Sequence, residues 1–290
     1  MSARIALATT RDLEVLDADE TALLEALPGS EVVAWEDSVD WAQYDLVLLR
    51  STWNYTEHLD EFLAWADRVS AVTRLLNPIE VVRWNTDKRY LGGLAAAGIP
   101  VVPTQFVTQP GSVGADAVAG NVVVKPAVGA GSKGAALFHH DPEAALAHLD
   151  DLLAQGKVAM IQPYLEHVDT HGETALVYVG GEFSHAARKA AILSREMSWS
   201  TGIYADEKVV AATASDAERE LADRILAAVP GIVPAVSELA YARVDLLPTP
   251  DGPVVLELEL TEPSLFLALD PAAPARAAAA FSRIAGNPRS

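Results

Sequence analysis

The sequence predicts a fold of the α/β and α+β class: an N-terminal open parallel sheet with helices on its faces, a small central unit built around a glycine-rich flap, and a C-terminal α+β unit. Three stretches carry this prediction. Residues 4–69 alternate strand-like and helix-like patterns in the order β-α-β-β-α. Residues 121–134, NVVVKPAVGAGSKG, run three β-branched valines into glycines at 129, 131 and 134. Residues 241–264 set two apolar strands about a Pro/Asp/Gly turn. At 290 residues the chain can bury a substantial core in two or three subdomains, with expected limits 1–110, 111–165 and 166–290.

Each element follows from local chemistry. Residues 4–10 read as a strand, and Asp17 or Asp19 caps a helix through Leu27 that Pro28-Gly29 stops. EVVAW at 31–35 and DLVLLRST at 45–52 are strands, and 57–69 is an amphipathic helix. LLNP at 75–78 is a short strand. TDKRYLGGLAAAG reads as a helix beginning near Thr86 or Asp87, with Gly98 past its end and Lys88 in its first turn. A cation there gains nothing from the helix dipole, which makes sense if an anion is bound beside it. Asp141, Pro142, Glu143 and Gly156 punctuate a further helix, and 158–166, VAMIQPYLE, is a buried strand turning polar. Residues 173–191 form a hairpin turning at Gly180-Gly181, which puts Arg188 and Lys189 on its return strand. A polar loop at 194–207 precedes a helix at 215–229.

Composition excludes several classes. Half the residues are hydrophobic, yet no apolar run approaches the ~20 residues of a membrane span. The opening MSARIALATT lacks the apolar core of a signal peptide. With no cysteine, disulfides, thiolate metal sites and cysteine nucleophiles are ruled out, and a soluble cytoplasmic protein is expected. The seven histidines are scattered and read as surface or helix-end residues. A formal charge of −19 and a pI near 4.6 argue against nucleic acid as a partner.

Two stretches carry chemistry. In the first, Lys125 at a strand end and Lys133 in the loop flank the backbone amides of Gly129, Gly131, Ser132 and Gly134, a surface suited to polyphosphate. The spelling G-x-G-x-x-G is not followed by a helix, as a dinucleotide site requires, but by apolar AALFHH. Ala135 stands where a P-loop has its lysine. The stretch therefore reads as a flap laid over phosphates, against the alternative of an ordinary glycine-rich hairpin. In the second, Glu257 and Glu259 point to one face, and a turn near Asp251-Gly252 brings Asp245 opposite Glu257. Three carboxylates on apolar strands need a cation, and hard oxygen ligands suit Mg2+. An exposed acidic sheet face is the alternative. Arg50, Ser51, Thr52, Trp53 and Tyr55 lie at the carboxyl end of an apolar strand, where open α/β sheets bind ligands.

The order of these features resembles the ATP-grasp superfamily of carboxylate–amine and carboxylate–thiol ligases over nearly the whole chain. The resemblance implies an ATP- and Mg2+-dependent, ADP-forming carbon–nitrogen ligase acting through an acylphosphate. By it, Lys88 and Lys125 hold the nucleotide phosphates under the flap, and Gln162, Tyr164 and Leu165 offer backbone groups to adenine. Glu173 or a nearby acid contacts ribose, Arg188 steadies the transferred phosphoryl group, and Asp245, Glu257 and Glu259 bind magnesium. Glu259 departs from the usual Glu-x-Asn, and a carboxylate there still suits Mg2+. RSTWNY together with LELELTEPSLFL resembles the cyclo-ligase branch of D-cycloserine biosynthesis, which closes O-ureido-D-serine on its own nitrogen. That places the substrate between Arg50, Ser51 and Thr52 on one side and Thr261 and Ser264 on the other. The implied partners are ATP and a small amino-acid-like substrate, with no nucleic acid and no membrane; a homo-oligomer stays open. The competing readings are an intermolecular ligase of the same superfamily, a non-catalytic ATP-binding module, and a dehydrogenase, which the missing helix disfavours.

Overall fold

A computed structural model describes residues 3–190, 208–234, 236 and 238–287; the whole polar stretch expected at 194–207 lies outside them. The first sheet is parallel in the order β2-β1-β3-β4, from β1 (Ile5–Thr9), β2 (Ser30–Ala34), β3 (Leu46–Leu49) and β4 (Arg74–Leu76). Its helices are α1 (Ala18–Ala26), capped by Asp17, and α2 (Leu59–Val72). In α2, Phe62, Trp65, Ala66 and Val69 are buried at i, i+3, i+4 and i+7 and pack with Trp35 and Trp41 against one face of the sheet. Two short helices follow, α3 (Ile79–Asn85) and α4 (Tyr90–Ala96). Lys88 lies between them and not in a first helical turn, because Asp87 takes the backbone N–H of Arg89 and delays α4 to Tyr90.

The second sheet contains β5 (Gln105–Val107), β6 (Asn121–Pro126), β7 (Ala136–His139) and β8 (Ala159–Pro163), antiparallel in the order β5-β8-β6-β7. Helix α5 (Pro142–Ala154) covers one face, against Val122 and Val124. Alternation along β6 turns Val123 and Lys125 to the other face. After α6 (Val168–His171) comes the third sheet, antiparallel in the order β11-β10-β9-β12-β13. Its strands are β9 (Glu173–Val179), β10 (Glu182–Lys189), β11 (Val209–Ala212), β12 (Tyr241–Thr249) and β13 (Gly252–Glu259). Helix α7 (Asp216–Ile232) opens with a Ser215/Glu218 capping box and packs with α3 and α4 on one face. The chain's last described helix, α8 (Ala273–Gly286), packs with α1 against the first sheet and against β9 and β12 of the third.

Long-range polar contacts hold the first and third sheets together. Asn77 donates to the carbonyls of Tyr241 and Leu260 and accepts from Ala240, and Asn85 donates to Leu258 and accepts from Leu260. The Tyr241 hydroxyl lies 2.8–3.0 Å from the carbonyls of Leu49, Leu76 and Thr261. Asp19 accepts the backbone N–H groups of Leu265, Phe266 and Leu267. These contacts fix the segment after β13 against the carboxyl end of β3. No helix among the described residues is long and apolar enough to cross a membrane.

Candidate active site

A cavity of about 730 Å³ opens between the second and third sheets and reaches the end of the first. One wall is the flap. β6 and β7 pair antiparallel, so the glycine stretch is a strand–turn–strand, as the sequence predicts. Gly134 has φ +75°, and a Cβ there or at Gly129 would press within 3.3 Å of Pro126. His148, buried on α5 and not on the surface as expected, sits 2.9 Å from the Gly134 carbonyl and holds the base of the flap; His185 is likewise buried, against the Leu265 carbonyl. Gly129, Gly131, Ser132 and Lys133 line the cavity with Lys88 and Lys125, and the Lys133 ammonium pairs with Glu57. Gln162, Tyr164 and Leu165 form the edge at the end of β8, with Gln162 buried and donating to Thr104.

The opposite wall is a charged face of the third sheet. Asp245 pairs with Glu257 and Arg243 with Glu259 across β12 and β13. On β9 and β10 the pair is Glu173 and Lys189. The chain supplies the neutralising cations itself. Asp245 takes the Arg243 guanidinium at 2.9–3.2 Å and the Lys189 ammonium at 3.0 Å, and Lys189 also meets Glu173. Burial would raise the Asp245 carboxyl, but these two cations outweigh it and hold it below its usual range. Glu257 meets Lys125 at 2.8 Å and Lys88 at 3.7 Å, and against burial they pull it down to about 2. Glu259 meets Arg243, yet burial, Asp245 and Glu257 together raise it. Glu262 is pushed up to about 8 by burial and then by Glu259.

Several expected site residues lie elsewhere. Arg188 faces α7, with its side chain over Gly172 and its charge near Glu218, because its ladder parity is opposite to that of Lys189. Lys189 is the cation on the cavity side. Arg50 is 2% exposed and clamped by the Pro263 carbonyl at 2.7 Å, by Asp19 and Glu20, and by the Tyr241 ring. Ser51 bonds Thr9, Thr52 is fully buried, and Thr261 is turned to Asn85. Of the expected substrate contacts only Ser264 lines the cavity; from RSTWNY the lining residues are Trp53 and Tyr55. Asp245, 1% exposed and gripped by two cations, is not open to a metal, and no group of three or more His, Asp or Glu among the described residues is arranged to hold one. Glu257 and Glu259 do line the cavity, and as hard oxygen donors they fit Mg2+. Sequence reasoning missed Lys189, Arg243, Tyr55 and Glu262 as site residues. Parity was the available signal for the first two, since Arg243 precedes Asp245 by two on one strand.

The comparisons with known proteins bear on this geometry. The family model of the D-cycloserine synthetase DcsG N-terminal domain matches residues 5–77. The chain is 41% identical over 268 residues to the cycloserine biosynthesis protein DcsG of Streptomyces lavendulae, covering 87% of this chain and 89% of that one. It belongs to the D-cycloserine synthetase DcsG family. The crystal structure of D-cycloserine synthetase DcsG superposes with TM-score 0.88 at 40% identity, covering 97% of this chain and 99% of that one. An ATP-grasp RimK domain protein from Sphaerobacter thermophilus shares the fold alone, with TM-score 0.67, 18% identity and coverage of 98% and 100%. The DcsG family members are ATP-grasp ligases, and this chain is an ATP-dependent carbon–nitrogen ligase.

Proposed function

We propose that this chain uses ATP and Mg2+ to close O-ureido-D-serine into D-cycloserine. The observation that carries the reading is the 41% identity to the Streptomyces DcsG protein across 87% of the chain. The cavity supports it, because one space is bordered by flap glycines, two paired lysines and two hard carboxylates.

On this reading the substrate carboxylate attacks the γ-phosphorus, ADP departs, and the acylphosphate is attacked by the substrate's own oxyamine nitrogen. Phosphate leaves as that nitrogen gives up its proton, and water then takes the carbamoyl group from the ring nitrogen, releasing it as carbamic acid, which breaks down to CO2 and ammonia. Lys88 and Lys125 face the phosphates once ATP competes for their charge with Glu257. Glu257 and Glu259 would hold Mg2+, which would neutralise charge on the phosphoryl oxygens. Lys189 and Arg243 hold the strand face rigid, so that this charge is met by groups already in position. The flap excludes water from the acylphosphate. Gln162, Tyr164 and Leu165 border the adenine and Glu173 the ribose.

The test is ADP release with Mg-ATP across a panel of small amino acids, with product masses read in parallel. ADP formed with O-ureido-D-serine alone, with the cycloserine mass, is the expected result. ADP formed only when a second amine is added would move the chain to intermolecular ligation. Lys125→Ala and Glu257→Ala should lower kcat by at least about a hundredfold while the protein stays folded; near-normal kcat in either removes that residue from the site.

A further inference from the structure

Five acids border the cavity. Glu173, Glu257 and Glu259 are each paired with a lysine or arginine, and Asp17 is engaged as the cap of α1. Glu262 makes no ion pair among the described residues, although it is only 8% exposed. Its main chain is fixed from the first sheet: the Trp53 indole donates to its carbonyl at 3.1 Å, and Arg50 holds the next carbonyl, of Pro263. Its side chain lies beside the Tyr55 hydroxyl. Tyr55 is itself 4% exposed and packed on Phe62 with ring centroids 5.2 Å apart. The carboxyl group is thus a preorganised acceptor at the wall of an open space.

A buried carboxyl group with no cation beside it keeps its proton, and a ligand carrying a positive charge lets it ionise and pairs with it. The surroundings select the kind of cation. Trp53, Tyr55 and Phe266 border the same space. Aromatic faces suit an organic ammonium, whereas Mg2+ demands oxygen atoms or water on every side. Because Arg50, Ser51, Thr52 and Thr261 are buried away, Glu262 is also the ionisable group that the segment after β13 offers to a substrate.

We propose that Glu262, with the Tyr55 hydroxyl beside it, binds the α-ammonium group of the amino-acid substrate and makes the cavity selective for amino acids. The proposal rests on the reading that a small amino acid is the substrate. It does not depend on ring closure. The experiment compares ADP release with O-ureido-D-serine and with its counterpart lacking the α-amino group, in the parent enzyme, Glu262→Gln and Tyr55→Phe. The parent should prefer the amino acid by about a hundredfold or more in kcat/KM, and Glu262→Gln should cut that preference to about tenfold or less. The loss should appear chiefly in KM for the amino acid, with KM for ATP unchanged. Tyr55→Phe, which keeps the ring packing, should lose part of the same preference.

An unchanged preference in folded Glu262→Gln overturns the proposal, as does a parent enzyme indifferent to the amino group. A deficit relieved by added Mg2+ would assign Glu262 to the metal and also overturn it. If Glu262→Gln does not fold, Tyr55→Phe takes its place, and an unchanged preference there overturns the proposal. If the parent does not turn over O-ureido-D-serine, ring closure fails on its own. The pair is then made from whichever amino acid supports ADP release, and release with desamino acids only would overturn the Glu262 assignment too.

Discussion

Lys189 stands between Glu173 and Asp245, and removing its ammonium takes a cation from two carboxylates at once, leaving Asp245 to the Arg243 guanidinium. Breaking such a pair from one side costs about 3–5 kcal/mol, because an uncompensated charge stays in the interior. Lys189→Met should therefore lose stability of that order in urea unfolding, while Arg188→Met, on the other face of β10, should lose about 1 kcal/mol or less. Equal losses would contradict the placement of the two side chains. The acids give a pH signature. Glu20 is raised to about 7 by burial against the pull of Arg50, Glu262 is raised to about 8, and Glu259 is also raised. The folded chain keeps these protons where the unfolded chain has lost them, so their contribution is complete below about pH 4.5 and is lost as pH rises through 7 to 8. Glu257 and Asp245 act in the opposite sense, contributing above about pH 4.5 and failing as pH falls toward 2. On these groups alone the ligand-free protein should have its highest Tm at about pH 4.5 and lose Tm as pH rises to about 8; a Tm that climbs steadily to pH 8.5 would contradict these assignments.

The hairpin of β12 and β13 was legible in the sequence, because a turn at Asp251-Gly252 and a period of two fix which side chains share a face. The flap was legible for a similar reason: three valines, then glycines, then a short apolar run leave little else to build. Arg188 was misplaced because two adjacent cations on one strand face opposite ways, and only its pairing with β9 decides which faces the cavity. That pairing depends on Gly172, which has φ +69° and would carry a Cβ 2.5 Å from the Lys189 carbonyl. Gly172→Ala should cost about 2–3 kcal/mol and lower kcat by displacing Lys189. Gly111→Ala, with the same φ but open space around it, should cost about 1 kcal/mol and leave kcat unchanged. Urea unfolding and steady-state rates of the two variants test this, and similar kcat values would separate the turn from the site.

Across the whole molecule, the contacts that matter to the site are the ones the sequence hides. Arg50 reads as a ligand-binding residue because it ends an apolar strand, yet Pro263, 213 positions later, takes its guanidinium. Asp19 and Asn77 likewise reach backbone groups more than 160 positions away. Such partners carry no local periodicity, so no pattern of residues predicts them. Their consequence is mechanical, since the first and third sheets share one apolar cluster as well as these bonds. The two should unfold together in one transition, and Asn77→Ala should lower stability by about 2–4 kcal/mol without splitting it. An N-terminal unit melting separately would contradict that coupling. The central claim is that one cavity activates a carboxylate and delivers a nitrogen from the same molecule. The most direct measurement is the ratio of ADP to cycloserine with O-ureido-D-serine as the sole carboxylate and sole amine. One ADP per cycloserine, with a rate first order in enzyme, is the predicted result; ADP without the ring, or a ring that forms without ATP, would contradict it.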